Sequence, residues 1–325
     1  MTKFSYSLLA LALLSSSAAN AYEFGGPGGS VYPGILLGNS SAGAPPPGVY
    51  MFNQAAGWQA SIVGPGAPKV GGVATPLSLD IAATGFLFVP GWTFLGATYD
   101  AVIVQPIGLQ AVGTPVSTVA WGVHDTYIVP AELSWKLGDS GFFVKTGFGL
   151  SIPDGSISGP AGLSNIGSPW WTFIPQLSVS YLKDGWNLSA IMLYETNTKN
   201  SYTNYQSGDT LDVELVATKT IGKWTFGPVG YYVGQVTDDK SSAYYHNLIN
   251  TNRFSLFAAG AVVGYNFGPA NFDVWAVDEF SASASGATPT TGSIPQGFRV
   301  FSSISFRLWD LSDNNPTPKR PQFFK

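Results

Sequence analysis

Cysteine is absent from all 325 residues. Its absence excludes a disulfide scaffold, a thiol nucleophile and a thiolate metal site. Charge is scarce as well: Asp, Glu, Lys and Arg together make 10% of the chain, with 15 basic residues against 19 acidic ones and a formal net charge of −4. Nucleic acid is therefore not an expected partner, since it demands a basic footprint. There is no long apolar run of helical character. The most apolar stretch beyond the N-terminus, Phe254 to Phe267, is rich in Gly and aromatics, carries Asn266, and is shorter than the roughly 20 residues a helix needs to cross a bilayer.

Catalytic signatures are missing too. The two histidines, His124 and His246, lie near no Gly-x-Ser-x-Gly turn, and neither His-Glu-x-x-His nor a Walker-type Gly-Lys-Ser/Thr occurs. A barrel phospholipase would need a His shortly before Ser-Asn-Gly, whereas His124 leads into Asp125-Thr126-Tyr127 and His246 into Asn247-Leu248-Ile249. Asp238-Asp239 and the stretch from Asp310 to Asn315 lack the Gly and terminal Glu of a calcium loop. No enzyme activity, cofactor or metal is expected.

What is present begins with an address. Lys3 supplies a positive start, Leu8 to Leu14 a short apolar run, and Ala19-Asn20-Ala21 a small-x-small cleavage site, so residues 1–21 read as a signal peptide removed on export. Aromatics reach 14%, with 39 Gly and 23 Pro. So much apolar surface on an exported chain needs something other than water to face.

Period-two alternation supplies the answer. In Trp171 to Tyr181, Trp171, Phe173, Pro175, Leu177, Val179 and Tyr181 share one face, opposite Thr172, Ile174, Gln176, Ser178 and Ser180. The same pattern sets Tyr127, Val129, Ala131, Leu133, Trp135 and Leu137 outward, opposite Glu132, Ser134 and Lys136. Phe142, Val144, Thr146, Phe148 and Leu150 form a third such face, and Phe257, Ala259, Ala261, Val263, Tyr265 and Phe267 a fourth. Apolar outward and small or polar inward is the pattern of a membrane barrel.

Tight turns at Pro90-Gly91, Gly138 to Gly141, Lys183 to Gly185, Gly222-Lys223 and Gly268 to Ala270 alternate with long Gly/Ser/Pro/Asn-rich connections near 64–77, 105–124, 152–169, 198–208, 237–252 and 285–296. Short periplasmic turns and long extracellular loops are expected of an outer-membrane barrel. The turns predict about 12 strands, near 49–63, 78–89, 92–104, 125–137, 142–151, 170–182, 186–197, 209–221, 224–236, 254–267, 271–284 and 298–309. The fold class is thus all-β, a transmembrane antiparallel up-and-down β-barrel over 49–309. Residues 22–48 form a Gly/Pro-rich N-terminal extension or plug, with a mobile periplasmic extension favoured, and 310–325 a periplasmic tail. Trp92, Trp186, Trp224 and Trp309 beside the short turns suit an interfacial girdle. Trp170 is expected in the outer girdle.

A pore's chemistry is set by its lining. The charged residues assigned to the inner face are Asp80, Asp100, Glu132, Lys136, Lys145, Glu195, Asp212, Glu214 and Arg307, either as solute-facing groups or as ion pairs tying the wall together. Asp212 and Glu214, two residues apart, suggest cation preference or bridges to Lys136, Lys145 or Arg307. About 12 strands enclose more than side chains alone fill in an eight-stranded barrel and less than a general porin, which implies a narrow or plugged channel.

The stretch Pro46-Pro47-Gly48-Val49-Tyr50-Met51-Phe52-Asn53, entering the first strand after a Gly-rich exported N-terminus, resembles the family of outer-membrane transporters named for the MetA pathway of phenol degradation. The resemblance implies a Gram-negative outer-membrane barrel that passively admits small hydrophobic or aromatic solutes, with membrane lipid, the solute and the barrel-assembly machinery as partners. The alternative is a non-transporting barrel whose long loops form a binding or adhesion surface.

Overall fold

The computed structural model describes residues 23, 30–38, 40–160, 165–249 and 253–311. The expected signal peptide and the tail beyond Leu311 lie outside the described residues.

Twelve long antiparallel strands close into a barrel: β1 (Gly48–Val63), β2 (Pro76–Val89), β3 (Ala97–Val112), β4 (Thr126–Lys136), β5 (Phe142–Ile152), β6 (Thr172–Lys183), β7 (Trp186–Asn197), β8 (Thr210–Ile221), β9 (Trp224–Gln235), β10 (Arg253–Asn266), β11 (Ala270–Ser285) and β12 (Ile294–Asp310). Each pairs with its chain neighbour, and β1 pairs with both β2 and β12, from Gly48↔Asp310 to Val63↔Ile294. Closure leaves no free edge among the long strands, so the wall satisfies its own backbone in an apolar medium. Among the described residues no helix is long and apolar enough to cross a membrane. One 3-10 turn, Ala243–Tyr245, caps a loop.

The turn chemistry follows the sequence. At the β6–β7 hairpin Asp184 and Gly185 both take positive φ, 53° and 77°, which is the two-residue turn whose twist matches the flanking strands. Trp92, Trp186, Trp224 and Trp309 are all exposed at the short-turn end. Lys219 Nζ lies 4.8 Å from the Trp186 ring.

Four expectations need correction. β3 runs to Val112, and Ile107–Val112 pairs both with β2 and with a return strand, Thr118–Val123, so much of the supposed loop 105–124 is a hairpin that continues the wall. The Pro90-Gly91 turn is a longer connection in which Thr93–Phe94 pairs with Ala97–Thr98. Trp170 is buried in the core rather than set in a girdle. The alternation in β4 changes sense at Pro130: the β4–β5 ladder breaks between Ile128 and Glu132, so Tyr127 faces the interior and Val129 is buried, whereas Leu133, Trp135 and Leu137 keep the outward face. Proline cannot donate to a ladder, and the extra residues of a bulge rotate all that follows.

The remaining faces follow the alternation. Trp171, Leu177, Val179, Phe142, Phe148, Phe257 and Val263 are exposed outward, while Thr172, Ile174, Ser180, Leu256 and Val262 are buried. The cysteine-free chain makes this checkable. A cysteine placed at Leu133 or Phe257 is expected to react with a membrane-dissolved maleimide, and one at Tyr127 to be protected from it. Equal labelling of Tyr127→Cys and Leu133→Cys would remove the bulge-induced change of face.

Candidate functional site

The lumen is occupied by the chain's own N-terminal segment. From Pro47, whose carbonyl accepts the Leu311 N–H at 3.2 Å, residues 40–47 and 30–38 rise through the barrel from the short-turn end towards the long loops, where Glu23 is held. The favoured reading of this segment as a mobile periplasmic extension is thereby corrected for the described residues. Composition could not separate the two, because Gly/Pro-rich backbone suits a tail and a lumen-filling strap equally.

Without a ladder of its own, the strap takes its hydrogen bonds from inward side chains. Glu195 on β7 accepts the Ser30 and Val31 N–H groups at 2.9 and 3.1 Å, and Glu214 on β8 accepts the Gly34 N–H at 2.8 Å. Ser180 accepts the Ala42 N–H at 2.7 Å, and Ser134 both accepts from Ala44 and donates to the Ala42 carbonyl. Trp275, Gln54 and Asn187 donate to the carbonyls of Gly34, Ile35 and Ser40. Buried backbone polar groups must be paired, and here the wall does the pairing. Apolar contact adds to it: Leu37 is 0% exposed within the largest core cluster, where burying such a side chain is worth about 1.5–3 kcal/mol.

One cation anchors the strap. Arg299 on β12 is fully buried, with Nε 2.7 Å from Glu279 Oε1 on β11 and Nη1 donating to the Pro33 carbonyl at 3.0 Å. Its guanidinium lies 4.3 Å from the Tyr32 ring and 4.1 Å from the Trp58 ring. Glu279 also accepts from Trp58 Nε1, the Gly297 N–H and the Tyr231 hydroxyl. A desolvated ion pair is costly unless its other valences are met; those of Glu279 are, while Arg299 Nη2 has no hydrogen-bond partner and the guanidinium is flanked by aromatic rings.

The nine residues assigned to the lining divide into groups. Asp100 and Glu132 are both bridged by Lys145, at 3.0 and 3.4 Å, and Gln176 donates to Glu132. Glu195 and Glu214 hold the strap. Neither Asp212 nor Glu214 bridges to a lysine or to Arg307, and both carboxylate oxygens of Asp212 are buried without a hydrogen-bond partner. Lys136 and Arg307 lie at the short-turn mouth, paired with Asp139 and Asp310. Asp80 is a misassignment. It shares the outward parity of Phe86 and Phe88, while Leu77, Ile81 and Ala83 point inward. The inner face of β2 is apolar because it packs against neighbouring wall and strap residues, Tyr32 and Ile35 among them, which reverses the usual rule of a wet lumen.

Between the strap and the β1–β4 wall lies a cavity of about 320 Å³. Val31, Ile35 and Leu36 of the strap face Phe52, Ile81, Ala83, Val102 and Val104, with His124 and Tyr127 at the long-loop end and Asp273, Ser303 and Ser305 towards the short-turn end. His124 takes no catalytic posture, since its Nδ1 accepts the Asp125 N–H at 3.0 Å. The cavity abuts a short interruption of the β3 ladder between Val104↔Tyr127 and Ile107↔Val123, bridged by the His124 N–H, which donates to the Pro106 carbonyl at 2.9 Å, and by Gln105, which donates to the His124 carbonyl and accepts from Thr126. Arg299, Glu279 and Asp273 escaped the sequence reading. Arg299 shares its parity with Arg307, and Asp273 and Glu279 lie opposite Phe272, Val274 and Phe280, so the signal existed but was masked by the inward Trp275, Val277 and Phe301.

At the long-loop end Glu23 accepts from Thr203, Tyr245 and Asn200 at 2.5, 2.9 and 3.0 Å. Beside it Asp239 accepts from the Gly208 N–H, Gln235 and the Tyr205 hydroxyl. Burial pushes the Asp239 carboxyl up to about 7 and raises Glu23 above the ordinary carboxylate value.

Two outcomes are expected. Arg299→Met leaves Glu279 buried without its counter-charge, at a cost of about 3–5 kcal/mol. The temperature at which the folded band converts on gels should fall, and Arg299→Met combined with Glu279→Gln should regain most of it. Second, because the folded Asp239 value lies above the unfolded one, the loop cluster gains stability as pH falls through about 7 and levels off near the ordinary value of about 4. Amide protection factors in 203–209 and 237–245, which remove the intrinsic base-catalysed rise of exchange with pH, should therefore be higher at pH 5 than at pH 8, and the reverse order would refute the assignment.

Comparison with known proteins places this geometry. No curated protein matches the sequence. Among solved structures the chain is similar to the COG4313 outer membrane channel from Pseudomonas putida F1, at 13% identity and a TM-score of 0.66, covering 85% of this chain and 99% of that one. Weaker likenesses include the beta domain of the Bordetella autotransporter BrkA (12% identity, TM-score 0.46, 80% and 99% covered) and a Pseudomonas aeruginosa FadL homologue (10%, 0.39, 89% and 98%). The family described as Putative MetA-pathway of phenol degradation matches residues 62–288, more than half of the chain, and this protein belongs to it.

Proposed function

We propose that this barrel is an outer-membrane channel for the passive passage of small apolar solutes, aromatic ones included, with the long loops outside and the short turns in the periplasm. The observation that carries the reading is the cavity: the strap fills the side of the lumen nearest β6–β9, and what remains open along β1–β4 is lined mainly by aliphatic and aromatic side chains. A hydrophilic solute would lose hydration there without replacement, whereas an apolar one gains by transfer. The family description and the channel to which the fold is similar support the same class.

The ladder ends add a route. Pro130, Pro175 and Pro228 each coincide with a lost stretch of pairing on one side, between Ile128 and Glu132, Phe173 and Gln176, and Val216 and Lys219 respectively. Of these, the break between Ile128 and Glu132 lies beside Tyr127, which lines the cavity, so entry or release through the wall is assigned there.

Single-channel recording in planar bilayers tests the proposal. The mature protein is expected to show small discrete openings that a phenolic solute blocks and glucose does not, and Glu195→Ala with Glu214→Ala, which frees the strap, should enlarge the openings several-fold. Silence from both proteins, with the barrel shown folded by heat-modifiable migration, would overturn transport in favour of a loop-borne binding role.

A further inference from the structure

We propose that the cavity selects solutes by their polar end, and that Asp273 is the selecting residue: it favours an apolar body carrying a hydrogen-bond-donating head, a protonated amine before a hydroxyl, and rejects a carboxylate. The inference rests on the reading of the cavity as the solute's place.

Among the described residues, every other charged group in the lumen interior that faces the strap or the wall has an assigned partner, apart from Asp212. Lys145 answers Asp100 and Glu132, Arg299 answers Glu279, and Glu195 and Glu214 hold backbone N–H groups. Asp212 is sealed, both its oxygens out of reach of the cavity. Asp273 differs from all of these. It is 6% exposed, lines the cavity, and among the described residues its carboxylate makes no hydrogen bond or ion pair.

The site around it is built from small groups. Its ladder partner on β12 is Ser303, with Ser305 two residues further on, and both line the cavity. On the other side its partner is Gly264, where a side-chain carbon would collide with Asp273 Oδ1, so the glycine makes room for the carboxylate. An acceptor-only group flanked by hydroxyls at one end of an otherwise apolar cavity complements a donor, and most strongly a cationic one. A second carboxylate placed there would meet like charge in a poorly hydrated space, which is a repulsive element of the kind that sets specificity.

The test measures binding to the folded full-length mature barrel in detergent, through quenching of tryptophan fluorescence, with octylamine, octan-1-ol and octanoate as probes of one chain length at pH 7. Octylamine and octanol are expected to bind at least about tenfold more tightly than octanoate, as one charge-assisted hydrogen bond implies. Asp273→Asn should compress that ratio to within about twofold, by weakening the amine and admitting octanoate. Asp273→Ser serves the same purpose should the amide variant fail to give a heat-modifiable barrel. Octanoate binding as tightly as octanol in the wild type, an unchanged ratio in the variants, or no saturable binding by any probe would each overturn the proposal. Binding is read here independently of conductance, so a barrel that binds selectively but passes no current would refute the channel and leave the head-group selection standing.

Discussion

The need to satisfy buried backbone governs this molecule twice over. In the wall it forces closure, since an apolar surround offers no partner to an unpaired N–H or carbonyl, and β1 therefore pairs with both β2 and β12. Inside the wall it fixes the strap. Residues 30–38 and 40–47 carry Pro and Gly in a conformation with no ladder of their own, and their polar groups are met by Glu195, Glu214, Ser134, Ser180, Gln54, Asn187, Trp275 and Arg299 from seven different strands. The inward polar residues of this barrel are thus spent largely on the chain itself rather than on water.

That allocation explains why the sequence was legible in one direction and opaque in the other. Strand number, the tight turns other than Pro90-Gly91, and the outward faces of β5, β6 and β10 followed from period two and turn residues, because lipid imposes one rule on everything that faces it. The inward side has no such rule. Where the lumen is wet an inward residue is polar; where the strap packs it is Leu77, Ile81 or Trp58, and Asp80 on the opposite parity was then mistaken for lining. The ion pair of Arg299 with Glu279, and the bridging of Asp100 and Glu132 by Lys145, join residues on different strands, and parity alone carries no information on which inward charges meet.

Proline shows the same division. Its missing donor is visible in sequence, and the loss of pairing beside Pro130, Pro175 and Pro228 follows directly. What is not visible is the consequence downstream. At Pro130 four residues of β4 span what three residues of β5 span between Ile128↔Leu150 and Glu132↔Gly147, and Tyr127 is thereby turned from the lipid face to the cavity. A one-residue mismatch in a strand changes the face of everything on one side of it.

The lumen is divided unevenly, and that asymmetry connects fold to chemistry. The strap's hydrogen-bonding partners concentrate on β6 to β8 and on β11 and β12, so the strap lies to one side and the open volume falls along β1 to β4. The same sector holds the ladder break beside Pro130, and above it β3 runs on to Val112, paired with β2 and with the return strand Thr118–Val123. That hairpin turns Leu109, Val119 and Trp121 outward, with Trp121 81% exposed, and extends an apolar surface above the seam. Cavity, seam and apolar hairpin therefore share one side of the barrel. The carboxylates that grip the strap place it opposite them, and they thereby fix where the lumen stays open.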